Sequence, residues 1–176
     1  MGQPLPATHL RVLDDNGNDC PQGEVGELAV ASPYLFSGYL NLPEATERSM
    51  LGDWFVTGDL ARIDDEGYVY LVDRKNDMII SGGENVYPRE VEEVLLAHPA
   101  VAECAVAGLP HPYWGEQVTA WVVLRKGIEG DTASLTDLCR QKLSPYKVPK
   151  DIRVIDALPR NSMGKILRRS LREQAA

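Results

Sequence analysis

The sequence predicts an α+β fold in two parts: a partial, small β-subdomain followed by a compact α+β domain. Three observations carry this expectation. The first 75 residues hold short apolar runs divided by acidic and glycine-containing turns, with one short helical stretch. From Pro88 onward, helical apolar spacing alternates with strand-like runs. A chain of 176 residues is long enough for one ordinary domain or two small ones.

In the first part, His9–Leu13 alternates weakly before the turn Asp14-Asp15-Asn16-Gly17, and Gly26–Ala31 is a second strand candidate. Pro43–Arg48 reads as a short helix, with Pro43 at its start, where a missing N–H costs nothing. Trp54–Val56, Leu60–Ile63 and Tyr68–Val72 suggest a small antiparallel sheet. Asp64-Asp65-Glu66-Gly67 suits the reversal before the last of these, because Gly67 permits a positive φ. These strands read as part of a β-subdomain that leans on a larger partner.

In the second part, Pro88 opens a helix with Val91, Val94 and Leu95 on its apolar face, ending before Pro99. Val101–Ala107 and Val118–Leu124 are strand runs. Leu135, Leu138 and Cys139 mark a second helix, whose face Leu143 extends before Pro145. Lys150–Ile155 is a further strand and Ile166–Leu171 a terminal helix. Helices packed on a small sheet follow from this alternation. Ser81-Gly82-Gly83-Glu84-Asn85 reads as the connection into the Pro88 helix. The boundary between the parts falls near Arg74–Asn76, dividing residues 1–75 from 76–176.

Composition narrows the function. The net charge is −8, yet it is uneven: residues 1–100 carry 18 acidic against six basic residues, whereas residues 142–172 carry nine basic residues against Asp151 and Asp156. No helix-turn-helix, aromatic platform or zinc spacing accompanies the basic tail, so a solvated basic face that attracts small phosphate-bearing molecules is expected rather than a nucleic-acid surface. The tail's Arg160, Arg168 and Arg169 read as solvated residues. Cys20, Cys104 and Cys139 lack metal-like spacing and read as turn, strand and helix residues. His9, His98 and His111 form no metal or triad pattern, and no metal site is expected within this chain. No stretch reaches membrane-spanning length, and the start shows no basic region followed by an apolar run. A reducing cytoplasmic setting is the default.

Three segments carry a resemblance. They are Gly52-Asp53-Trp54-Phe55-Val56-Thr57-Gly58-Asp59-Leu60 with Asp65-Glu66-Gly67-Tyr68, then Asp73 through Glu92 with its Ser81-Gly82-Gly83-Glu84-Asn85 core, then Leu158-Pro159-Arg160-Asn161-Ser162-Met163-Gly164-Lys165-Ile166-Leu167. Together, in this order and spacing, they closely resemble the C-terminal part of the AMP-forming acyl-CoA synthetases. These are adenylate-forming ligases related to peptide-synthetase adenylation domains and luciferases. Gly23–Leu28 and Gly38–Thr46 extend the likeness over nearly the whole chain. The family's Ser/Thr/Gly-rich phosphate loop and its Tyr-Gly-x-Thr-Glu segment do not occur here, so the chain is expected to be the last third of an enzyme. Its missing partner is the N-terminal adenylating domain, and the chain alone is expected to be inactive.

The resemblance implies ATP, Mg2+ and coenzyme A as the cofactors of the complete enzyme, with a carboxylic acid as substrate and fatty-acid metabolism among its settings. Asp59 is implied to hold the adenosine ribose through both hydroxyls, with Arg74 beside it. Read locally, Asp59 caps a turn, Arg74 forms a surface ion pair, and Thr57 supports the turn. Lys165 is implied to approach the carboxylate and α-phosphate during adenylation; read locally, it is a lysine on a turn facing solvent. Gly83, with Glu84 orienting nearby groups, is implied to line the passage for the thiol-bearing pantetheine arm. Asn76, two residues after Arg74, matches the hinge of the mobile C-terminal domain, where relatives commonly carry Asp or Lys. Two alternatives stand beside this reading: an adenylation-domain fragment serving a carrier-protein thiol, and a non-catalytic accessory or interaction domain.

Overall fold

In the computed structural model, which describes residues 2–127 and 131–175, the chain divides into two units, Met1–Asn76 and Asp77–Ala176. Each has its own sheet. The first contains β1 (His9–Leu13), β2 (Gly26–Ala31), α1 (Pro43–Arg48), β3 (Met50–Leu51), β4 (Trp54–Ile63) and β5 (Val69–Arg74). All pairings are antiparallel, in the order β1-β2-β4-β3, with β5 also on β4. Val12, Leu13, Leu28, Ala29, Leu60 and Ala61 are its buried apolar residues.

Two expected strands, Trp54–Val56 and Leu60–Ile63, are one. The chain does not turn back at Thr57-Gly58-Asp59 but bulges: Glu27 faces Leu60 and Ala29 faces Val56, so Leu28 opposes three residues of β4. Gly58 permits the bulge with φ +74. The last strand also runs further than expected, ending at Arg74 rather than at Val72. Two-residue β3 is too short to leave a periodic signal in the sequence.

The second unit follows a 3-10 turn at Lys75–Asp77. It contains β6 (Ile79–Ser81), β7 (Glu84–Val86), α2 (Pro88–Leu96), β8 (Val101–His111), β9 (Gly115–Leu124), α3 (Thr132–Lys142), β10 (Asp151–Val154) and α4 (Arg168–Ala175). The long β8–β9 hairpin is its spine. On the other edge of β9, Gly115 meets Ser81 of β6, and Thr119–Val122 pair in parallel with β10. A parallel pair requires a crossover, and the connection from β9 to β10 carries α3.

Alternation along the hairpin builds two cores. Cys104, Val106, Val118, Ala120 and Val122 join Val91 and Leu95 of α2 and Leu135 and Cys139 of α3 in one cluster. Ala105, Ala107, Leu109 and Trp121 join Leu171 of α4 and Leu158, which follows β10, in the other. Successive strand side chains point to opposite faces, and both faces here are covered, so the strands read as continuous apolar runs. At about 1.5–3 kcal/mol for each large apolar side chain buried, these clusters dominate the unit's stability.

The expected connection at residues 81–85 is instead a tight hairpin. Ser81 pairs with Glu84 across Gly82-Gly83, whose φ values of +62 and +86 suit a turn of opposite hand to the common one. The terminal helix begins at Arg168, two residues later than expected, because Ile166 bridges back to Arg160.

Candidate functional site

The β4 bulge presents Asp59. Thr57 Oγ1 donates to the Leu28 carbonyl at 2.9 Å and accepts from the Asp59 N–H at 3.1 Å, fixing the backbone just before the carboxylate. Across the β4–β5 ladder Asp59 faces Arg74, and its Oδ1 lies 2.8 Å from Arg74 Nε. The carboxylate is 26% exposed and the guanidinium 54%, so both groups are within reach of a ligand. A pair this open contributes only about 0–1 kcal/mol to folding. Chemically it offers a carboxylate acceptor beside a multi-donor fork, a set that fits vicinal hydroxyls.

Immediately after Arg74, Lys75 Nζ reaches Glu27 at 2.9 Å and Asp15 at 3.0 Å. The hydrogen bond to Glu27, followed by that to Asp15, raises the ammonium's affinity for its proton. Asn76 is exposed, and Asp77 lies 3.3 Å from Arg168.

Lys165 sits on a turn organised by Asn161. The Asn161 side-chain oxygen accepts from Met163 N at 3.0 Å and Lys165 N at 2.9 Å, and its backbone exchanges bonds with Gly164 and Lys165. Gly164 has φ +81, and nothing stands within 4 Å of where its Cβ would be. Arg160 donates to the Gly164 carbonyl at 2.7 Å and pairs with Glu103 at 2.9 Å. Lys165 itself is exposed and, among the described residues, joins no ion pair. A firm turn therefore carries an uncommitted ammonium. The sequence reading missed Asn161, although an asparagine followed within three residues by glycine is an available turn signal.

Gly83 and Glu84 lie at the β6–β7 turn, Glu84 exposed and Gly83 with open space at its Cβ position. Gly82, not Gly83, makes the close approach within this chain. Its Cβ position is 3.2 Å from the Trp114 ring, and its N–H donates to the Trp114 carbonyl at 2.8 Å. His111 is occupied locally: its Nδ1 accepts from Tyr113 N at 3.2 Å and Trp114 N at 3.3 Å.

The expected solvated basic face is partly neutralised, though Arg169 remains 88% exposed and Arg160 40%, as expected. Lys147, Arg153, Arg160, Arg168 and Arg169 all form ion pairs, and Arg168 is the clearest correction. Its side chain is 18% exposed, contacts Asp77 and Glu92, and donates to the Val106 carbonyl at 3.2 Å.

The structure thus brings Asp59 and Arg74 together in the first unit, and holds Gly83, Glu84 and Lys165 on separate turns of the second. Among the described residues, no group of three or more His, Cys, Asp or Glu converges as a cation site. No described helix is long and apolar enough to cross a membrane.

Known proteins resemble this chain over nearly its whole length. The profile of the AMP-binding enzyme C-terminal domain matches residues 90–165, and that of the AMP-binding enzyme matches residues 1–40. The chain is 46% identical over 171 residues to the 2-succinylbenzoate–CoA ligase of Geobacillus kaustophilus, covering 97% of this chain and 35% of that protein. It is 44% identical over 175 residues to a long-chain-fatty-acid–CoA ligase of Escherichia coli O6:H1, covering 99% of this chain and 31% of that one. The o-succinylbenzoate coenzyme A synthetase of Bacillus subtilis, solved with ATP and magnesium ion, superposes with a TM-score of 0.88 at 44% identity, over 97% of this chain and 35% of that one. The chain spans about a third of the length of the curated relatives it matches.

Proposed function

From the chain's membership of the AMP-binding enzymes, with residues 90–165 as their C-terminal domain, we propose that the protein it belongs to is an ATP-dependent carboxylic acid–CoA ligase. A carboxylate oxygen attacks the α-phosphorus of ATP, and the bond to pyrophosphate breaks. The thiol sulfur of coenzyme A then attacks the acyl carbon of the adenylate, and AMP leaves. Residues 1–75 are the β-rich end of the large adenylating domain, and residues 76–176 its mobile C-terminal domain, turning at Asn76. A cytoplasmic location suits ATP and coenzyme A as substrates and the three free cysteines.

The observation that carries this reading is the pairing of Asp59 with Arg74 at 2.8 Å, together with Lys165, which joins no ion pair among the described residues, on a hydrogen-bonded turn. Asp59 accepts from the ribose hydroxyls while Arg74 steadies the same end of the nucleotide. Lys165 stabilises negative charge as the acyl–phosphate bond forms. At about 4 Å, an ammonium gains about 1 kcal/mol from a unit charge in water but about 4 kcal/mol at an effective dielectric of about 20, so it acts when water is excluded. Gly83 lets a slender thiol-bearing arm pass its backbone, and Glu84 orients groups beside it. Magnesium accompanies ATP, but the described residues supply no converging donor set for it, and no step here passes through it.

The test separates the half-reactions in the full-length protein. Lys165→Ala should lower acid-dependent pyrophosphate release about 10²-fold or more, the scale of losing one charge-stabilising group. Thiolysis of supplied acyl-adenylate should fall much less. Equal losses in both steps would refute the assigned role.

A further inference from the structure

The turn that joins the two units is held from both sides by different partners. Lys75 is anchored to the first unit, reaching Glu27 on β2 at 2.9 Å and Asp15 after β1 at 3.0 Å. Asp77 is anchored to the second, through Arg168 at 3.3 Å. Arg168 also binds Glu92 of α2 at 2.8 Å and the Val106 carbonyl of β8 at 3.2 Å, while Glu92 accepts from Val106 N at 2.8 Å. Arg168, Asp77 and Glu92 are 18%, 24% and 14% exposed, so this is a shielded network rather than a loose surface pair. Between the anchors, Asn76 is exposed, and the chain divides immediately after it.

We propose that Lys75 and Asp77 are positioning residues that pin the two ends of the connecting turn, each to its own unit, and leave Asn76 as the one residue free to rotate. The inference rests on the reading of Asn76 as the pivot. In a 3-10 turn of three residues per revolution, side chains 75, 76 and 77 splay about 120° apart. Lys75 and Asp77 therefore face different partners without competing, and the third direction is left to Asn76. Each residue has only two soft backbone torsions. Freeing all three would triple the torsions that domain rotation explores and blur both end states. Misplacing reacting groups by about 1 Å costs roughly 10²-fold in rate, so narrowing the pivot has a direct catalytic consequence.

Backbone 15N relaxation of the chain through residues 73–79 tests this. The wild type should show low order at Asn76 alone. Asp77→Asn should extend the low order forward, taking Asp77 and Met78 from about 0.85 to below about 0.6 in order parameter, with Arg74 unchanged. Lys75→Gln should extend it backward to Lys75 and Arg74, with Met78 unchanged. Asp77→Asn leaves the Arg168–Glu92 contact in place, and unchanged β8 and β9 amide shifts confirm that the second unit remains folded. Arg168→Lys keeps one charge but loses the fork, and should give an intermediate forward extension. A dip at Asn76 that keeps its width in all three variants overturns the anchors while leaving the pivot standing. A wild-type dip already spanning Arg74–Met78 also overturns the anchors. A wild type without a dip overturns the pivot and the anchors together.

Discussion

Asp59 and Arg74 form a pair whose exposure leaves it little weight in stability. Because both are partly exposed, Asp59→Ala should change unfolding free energy by less than about 1 kcal/mol. If the carboxylate holds the ribose, the same variant in the full-length enzyme should lose about 1.5–3 kcal/mol of nucleotide binding, or roughly ten- to 150-fold in the KM for ATP. A large stability loss with unchanged KM would make Asp59 structural. The buried thiols behave oppositely. Burial pushes Cys104 up to about 12 and Cys139 up to about 11 from an ordinary value of 9.0. Neither should react with a neutral alkylating reagent at pH 8 in the native state, whereas Cys20, partly exposed, should react first. Above pH 9 the unfolded chain releases these two protons while the folded chain retains them. Stability therefore falls as pH rises, by about 1.4 kcal/mol per unit for each thiol, until the folded values are reached. Denaturant midpoints between pH 8 and 11 measure this, and a flat profile would contradict it. Lys165, Asp59 and Arg74 stand out in the sequence only as members of spaced motifs, since each alone has an ordinary local explanation, and their roles remain proposals. Asn161 and Arg168 were not legible, because their roles come from contacts made after folding.

At the scale of elements, the β6–β7 turn separates two glycines that look equivalent in sequence. Gly82→Ala drives a methyl to 3.2 Å from the Trp114 ring at φ +62, whereas Gly83→Ala meets open space at φ +86. Gly83→Ala should cost about 1–2 kcal/mol for the left-handed backbone alone, and Gly82→Ala more, with thermal unfolding as the readout. Gly83→Ala should nonetheless be the variant that slows thioester formation in the full-length enzyme, because its added methyl projects away from this chain. The reverse ranking would move the thiol passage elsewhere. Most elements were readable because apolar periodicity and proline placement agree. His9–Leu13, Gly26–Ala31 and Pro43–Arg48 begin and end where the sequence puts them. Two of the departures occur where glycine has two uses. Gly58 was read as a break and is a bulge, while Gly82-Gly83 was read as a connection and is a hairpin turn.

For the whole molecule, separate sheets and cores predict two unfolding events in place of one. Thermal scans following Trp54 and Trp121 in single-tryptophan variants should give different midpoints, since these indoles lie in different units. The chain alone, supplied with ATP, magnesium and a panel of carboxylic acids, should show no acid-dependent pyrophosphate release. Appreciable turnover would defeat the reading that the remaining machinery lies in the larger protein. Asn76→Pro in that protein should fix φ near about −65° and impair one half-reaction more than the other. Parental rates in both would remove Asn76 from the mechanism. The place where the chain divides also matters for inheritance. Every strand of the second sheet comes from one unbroken stretch of sequence after Asn76. A genetic crossover at that residue would carry the sheet over intact. One placed only a few codons later, between Gly82 and Gly83, would separate β6 from β7, so chimeras joined at the first junction should fold and those joined at the second should lose stability, with thermal unfolding as the readout.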